Sequence, residues 1–192
     1  KLLSSYYNND MIEISDLGEK SFYDYVIAKK NKLNDYKSLV KLIIKVQKIK
    51  VKKFYKFGKF KVKFLKYSLN NLLKESDLFF DWYLKYCLKK KKISKIKRLL
   101  RRELNKVYTK LKFSNNTFVH RDFHVSNIMV KNKKLGLIDS QDAIIGNPLY
   151  DVASLIDDVR IKLPNNLQNN LIHFYHKNSE LKKDDIENLK ND

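Results

Sequence analysis

From Thr117 to Ser140 the chain reads TFV-HRDFHVSN-IMV-KNKK-LGLI-DS, and this stretch restricts the fold more tightly than any other. The apolar runs on either side of KNKK are too short for helices and are bounded by polar residues, the pattern of a β-hairpin. Taken as symmetric about Lys133, that hairpin sets Ile128 opposite Ile138 and Asn127 opposite Asp139, about 5 Å apart across adjacent strands. TFVH reads as a further short strand that delivers the chain into the polar loop. Whatever the rest does, it must hold a loop with two imidazoles, a guanidinium, a carboxylate and a carboxamide at the open end of a hairpin.

Most of the remaining chain reads as helix. Four glycines and two prolines in 192 residues leave element interiors almost uninterrupted, and 43% hydrophobic content suffices for one sizeable core. Met11 to Ile14 reads as a strand leaving into a connector at Asp16 to Gly18, and SFYDYVIAKK as a helix. Asn34 is expected to cap a helix bearing Leu39, Val40, Ile43, Ile44 and Val46. KFKVKFLKY alternates with period two, as a strand would, although its lysines equally suit an irregular basic loop. SLNNLLKESDLFFDWYLKYCL returns to helical spacing. Ile93, Ile96, Leu100, Leu104, Val107 and Leu111 recur at intervals of three and four, which predicts a helix from Ile93 to about Leu111. Asn147 and Pro148 are expected as N-cap and first residue of a helix continuing through LYDVASLIDDVR, and the tail beyond Pro164 is expected to be helical.

The formal charge is +20, from 41 Lys and Arg against 21 Asp and Glu. Nearly every segment carries lysines, so the charge reads as compositional bias and not as a nucleic-acid footprint. Arg98, Arg101, Arg102 and Lys106 share the polar side of the predicted helix, where a solvated face explains them. The single cysteine, Cys87, excludes an internal disulfide and is expected to be a buried thiol among aromatics, in a reducing compartment. Lysines interrupt every apolar run before the ~18 residues of a membrane span, and no signal-peptide pattern is present.

The chemistry concentrates in Asp122, Asn127 and Asp139. Asn127 and Asp139 are oxygen ligands at the hairpin's open end, suited to a hard divalent cation such as magnesium. Asp122, five residues before Asn127, is placed to accept or orient the proton of an attacking hydroxyl. An Asp, an Asn five later and an Asp after a hairpin is the arrangement of magnesium-dependent phosphoryl transfer. His120 and His124 are four apart, but a zinc site needs at least three converging ligands and the flanks read as strands. Taken singly, the three polar residues would be ordinary turn residues.

HRDFHVSN, LIDSQDA and GNPLYDVASL resemble the catalytic loop, metal loop and following helix of the aminoglycoside phosphotransferase and choline kinase family, small-molecule relatives of protein kinases. LFFDWYL and IDSQDAIIGNPLYDVASLIDDVR are most similar to bacterial kinases of that family that phosphorylate N-acetylmuramate or N-acetylglucosamine at the anomeric hydroxyl. DMIEISDLGEKSF resembles the family's last N-lobe strand and hinge. The resemblance implies Asp122 as catalytic base, Asn127 and Asp139 as magnesium ligands, and Ser15, Asp16 and Leu17 where adenine meets the hinge. It further implies that His120 and Arg121 brace the loop and that Asp151 holds its backbone from the following helix. ATP and Mg2+ are the implied cofactors, and a small-molecule hydroxyl, a sugar by closest resemblance, is the implied substrate.

The expected fold class is therefore α+β: residues 1–18 as a remnant of an N-lobe strand and hinge, and 19–192 as a mostly helical kinase-like C-lobe with a small catalytic hairpin. Two departures qualify the resemblance. Ser140 follows Asp139 where these relatives usually carry an aromatic, and nothing resembles the phosphate-covering loop, its Lys or the Glu paired with it. The chain is accordingly expected to be part of a longer kinase, poorly active alone, monomeric, cytoplasmic and independent of nucleic acid. The competing expectation is a non-catalytic module, either basic or pseudokinase-like; retention of all three chemical residues speaks against it.

Overall fold

The computed structural model of the chain describes residues 2–6, 11–88, 90–110 and 116–181. In order, the elements are β1 (Leu2–Tyr6), β2 (Met11–Ile14), α1 (Phe22–Val26), α2 (Leu33–Gln47), β3 (Phe54–Phe57), β4 (Phe60–Lys63), α3 (Leu69–Leu78), a π-helical turn (Phe79–Tyr83), α4 (Leu84–Cys87) and α5 (Lys90–Tyr108). There follow β5 (Thr117–Val119), a 3-10 turn (Val125–Asn127), β6 (Ile128–Lys131), β7 (Lys134–Leu137), β8 (Ile144–Gly146), α6 (Tyr150–Ile156) and α7 (Asn165–Asn178). The architecture is mixed α and β, with the strands in small antiparallel pairs β1–β2, β3–β4, β5–β8 and β6–β7.

Helical periodicity builds the core. Tyr36, Leu39, Val40 and Ile43 line one face of α2 and meet Leu171 and Tyr175 of α7 and Val152 and Leu155 of α6. Three members of this core come from the polar stretch or its edge: Phe123, Val125 and Ile128 are fully buried. Each contributes roughly 1.5–3 kcal/mol of transfer free energy, so the loop is anchored by its apolar minority. Ser21 opens α1 through a reciprocal capping box with Asp24. Just before it, the Val130 amide donates to the Lys20 carbonyl at 2.8 Å, docking the connector along β6.

The hairpin is present, but its register differs from the symmetric reading. Ile128 pairs with Leu137 and Lys131 with Lys134, around a two-residue turn at Asn132 and Lys133. Both turn residues have left-handed φ, 51° and 60°, as a type I′ turn demands. That turn matches strand twist better than a three-residue loop centred on Lys133. Asn127 therefore faces Ile138, whose amide donates to the Asn127 carbonyl at 3.0 Å.

Several boundaries also move. Asn34 is not a cap: α2 begins at Leu33, where Asn31 Oδ1 accepts the Leu33 amide at 3.2 Å. Asn147 takes the Leu149 amide at 2.8 Å, so Pro148 sits in a turn and α6 starts at Tyr150. That helix ends at Ile156, not at Arg160. α5 starts and ends three residues earlier than its apolar stripe suggested; Leu111 and residues 182–192 of the tail lie outside the described residues. Cys87 is exposed, contrary to expectation, because after α3 only Phe80 and Leu84 face inward and the helix stops at Cys87.

Lys133→Gly should raise stability by about 1 kcal/mol, since only the lysine pays for a left-handed φ; a lower midpoint in urea would contradict the turn. Cys87 should titrate fully with an aromatic disulfide reagent in the absence of denaturant, and a thiol protected until unfolding would refute its exposure.

Candidate active site

The loop leaving β5 is held by its backbone. The amides of His120 and Arg121 donate to Asp151 Oδ2 and Oδ1 at 2.9 and 3.1 Å. Four residues beyond Arg121, the Val125 amide donates to Asp158 Oδ2 at 3.1 Å. Asp158 Oδ1 also accepts the Arg160 amide and guanidinium, at 3.0 and 3.1 Å. Asp151 sits in the first turn of α6 and Asp158 just beyond its C-terminus, so the helix and the segment that follows it both reach the loop. Between these anchors Arg121 adopts a left-handed φ of 73°, which turns the chain sharply just before Asp122.

Asp122, Asn127 and Asp139 gather at the open end of the hairpin. The Asn127 Nδ2 donates to the Asp122 carbonyl at 3.0 Å, so its Oδ1 is the atom left for an electropositive ligand. Asp139 follows Ile138, the cross-strand partner of Asn127, and leaves strand geometry with φ 66°. Its Oδ1 accepts Gln141 Nε2 at 2.6 Å. The His120 ring is fully buried, and the Asp122 and Asp139 charges favour its protonation. Burial nonetheless holds its imidazole below the usual range. His124 is also held low, by burial and by Arg160. Ser140 is exposed beside Asp139.

Asp16 and Leu17 lie along the same hairpin, farther from its open end, and Ser15 precedes them directly after β2. Asp16 accepts the Gly18 amide at 2.7 Å and pairs with Lys131 at 2.5 Å. Leu17 covers Gly136 so closely that a Cβ there would sit 2.7 Å from its Cδ2. A cavity of about 170 Å³ lies between this segment and the strands, lined by Asp16, Leu17, Lys131, Leu135 and Gly136.

Two groups at the loop escaped the sequence reading. Asp158 is one of several acids around the predicted helix, and no local pattern sets it apart from Asp142 or Asp157. Glu75 of α3 reaches Arg121 Nη2 at 2.5 Å, and no local pattern announces a contact across 46 residues. The basic face of α5 is partly neutralised, with Lys97 bound to Asp81, Arg101 to Asp77, and Lys106 to Glu103. Among the described residues, no three His, Cys, Asp or Glu side chains converge as a metal cage, and no helix is long and apolar enough to cross a membrane.

Residues 14–187 match the sequence profile of the phosphotransferase enzyme family (APH). A stretch of 96 residues, 50% of this chain and 29% of the relative, is 31% identical to an N-acetylmuramate/N-acetylglucosamine kinase of Neisseria meningitidis serogroup B. Over 164 residues, 85% of this chain and 46% of the relative, it is 26% identical to a kinase of the same name from Pseudomonas aeruginosa. The matched region thus spans less than half of either relative.

Burial raises the Asp151 carboxyl to about 6, against its two amide hydrogen bonds and with help from the nearby Asp122 charge. The folded value lies above the ordinary 3.8, so Asp151 stabilises the fold below about pH 4 and that contribution is lost as pH rises through 6. Asp151→Asn does not titrate. Between pH 4 and 6 its stability should fall less than that of the unsubstituted protein, by roughly 2–3 kcal/mol, as read from urea midpoints; parallel pH profiles would refute the shift.

Proposed function

The chain belongs to the phosphotransferase enzyme family, and from that premise we propose that it carries the catalytic and metal-binding part of an ATP-dependent kinase acting on a hydroxyl of a small molecule, a sugar or amino sugar. The observation that carries this reading is the Asn127 Nδ2 to Asp122 carbonyl hydrogen bond, 3.0 Å long. It ties the proposed base segment to the proposed ligand and turns the Asn127 oxygen outward, toward the end of the hairpin where Asp139 departs. The sugar is taken from the two N-acetylmuramate/N-acetylglucosamine kinases matched in sequence.

The residues fit a magnesium–nucleotide ligand by their chemistry. One carboxamide oxygen and one carboxylate are hard donors, and a set this small leaves coordination positions for phosphate oxygens. Magnesium, when bound, neutralises charge on the transferred phosphoryl group. Asp122 orients the acceptor hydroxyl and takes up its proton as the oxygen attacks the γ-phosphorus in line, breaking the bond to the β–γ bridging oxygen so that ADP leaves. His120, fully buried beneath the loop, braces it through packing. Asp151 and Asp158 hold the loop in the shape that aims Asp122.

Within this reading, residues 1–18 supply a strand pair and a hinge, with Ser15, Asp16 and Leu17 toward the adenine. Residues 19–192 form the kinase-like C-lobe. A cytoplasmic, monomeric protein drawing on the nucleotide pool suits the chemistry.

In the complete protein, Asp122→Asn should lower kcat by about 10³-fold with nucleotide KM little changed, measured as ADP release with ATP, Mg2+ and a panel of amino sugars. Asp139→Asn should instead raise the Mg2+ concentration needed for half-maximal rate by roughly tenfold or more. Near-normal turnover of Asp122→Asn would sink the assignment.

A further inference from the structure

Arg121 occupies an unusual position. A left-handed φ costs a residue other than glycine about 1–2 kcal/mol, and such strain persists only where surrounding contacts over-determine it. Asp151 accounts for the backbone side of that restraint. The other side is the guanidinium, which reaches two separate parts of the chain. Its Nη1 donates to the Asp142 carbonyl at 3.4 Å, in the turn after Asp139, and its Nη2 donates to Glu75 Oε1 at 2.5 Å.

Glu75 is itself fixed. Its Oε2 accepts the Tyr67 hydroxyl at 2.5 Å, and burial, reinforced by Glu75, keeps that phenol protonated as the donor. Tyr67 in turn is pinned by its backbone, its amide donating to the Ile145 carbonyl of β8 at 2.8 Å. The Tyr67 ring lies under Arg121, 6.0 Å from ring centre to guanidinium carbon. One half-buried carboxylate thus joins α3, the segment before it and the residue next to Asp122. A lysine in place of Arg121 would lack the planar fork that serves Glu75 and the Asp142 carbonyl together.

We propose that Glu75 is a positioning residue for the transfer reaction: through Arg121 it sets the aim of Asp122 and couples the placement of α3 to the catalytic loop. The role rests on the phosphotransferase reading above. Glu75 touches neither the transferred phosphoryl group nor the acceptor in this scheme. It acts by holding the turn at residues 121–122 from outside while Asp151 holds it from within.

The test is a double-mutant cycle in the complete protein combined with hydrogen exchange. Glu75→Gln should lower kcat about tenfold and leave nucleotide KM within about twofold. Glu75→Asp, which restores the charge, should recover part of the loss. In an Arg121→Gln background Glu75→Gln should cost almost nothing more, because the two residues act as one unit. Exchange in a peptide covering residues 119–127 should quicken by about tenfold in Glu75→Gln, while peptides from α7 keep their rates. Unchanged loop exchange, or kcat losses that add in the double variant, would overturn the proposal. Asp122→Asn, assayed in parallel with the unsubstituted protein, separates the two failures. If it retains turnover, Asp122 is not the base that Glu75 would aim, and the exchange result alone decides whether Glu75 restrains the loop. If it loses turnover while Glu75→Gln does not, only the coupling is wrong.

Discussion

Two carboxylates hold the backbone of one loop, and the candidate site depends on them. Asp151 takes the amides of His120 and Arg121, and Asp158 takes that of Val125. Buried amides without partners would each cost about 1–3 kcal/mol, and a loop between β5 and β6 has no strand neighbour to supply them. The carboxylates supply that partnership from α6 and its C-terminal turn. Because that helix is packed into the core through Val152 and Leu155, the loop inherits the rigidity of the core.

The loop achieves this with a division of labour among its own residues. His120, Phe123, Val125 and Ile128 go inside, while Asp122 and Asn127 stay partly exposed. Two left-handed residues, Arg121 and Asp139, mark where the chain departs from regular geometry on either side of the site. Strain at such positions is tolerated where neighbouring contacts over-determine it, and here the contacts are the Asp151 clamp, the Arg121 fork and the Gln141 hydrogen bond to Asp139.

The hairpin serves as common ground for the segments around it. The connector at residues 15–21 lies along β6 through the Lys20–Val130 hydrogen bond and the Asp16–Lys131 ion pair, and Leu17 closes over Gly136. The helices α3 to α5 attach more lightly, through Glu75, Tyr67 and the bridge of Lys66 to Ile145. They leave Phe79, Trp82, Tyr83 and Tyr86 exposed along one stripe. The +20 charge that dominates the composition has little part in this framework, since several α5 cations are balanced by acids nearby.

The local pattern of the chain by itself determined the hairpin, the strand TFV and the principal helical segments, and it singled out Asp122, Asn127 and Asp139 as candidates. Each is written in a period of two or 3.6 residues or in a spacing of a few positions, which backbone geometry translates directly. Tertiary structure decided the rest. Turn geometry at Asn132 and Lys133 moved the register by one residue, a slip that apolar runs of three or four cannot detect. The exposure of Cys87 depends on which side of a short helix meets the core. Asp158 and Glu75 bond to residues 33 and 46 positions away, and separations of that size leave no trace in local periodicity. The sequence alone thus determined which groups could do chemistry. Only the packed fold decided which of them share one place, because that depends on backbone hydrogen bonds and ion pairs that exist only after the chain has closed on itself.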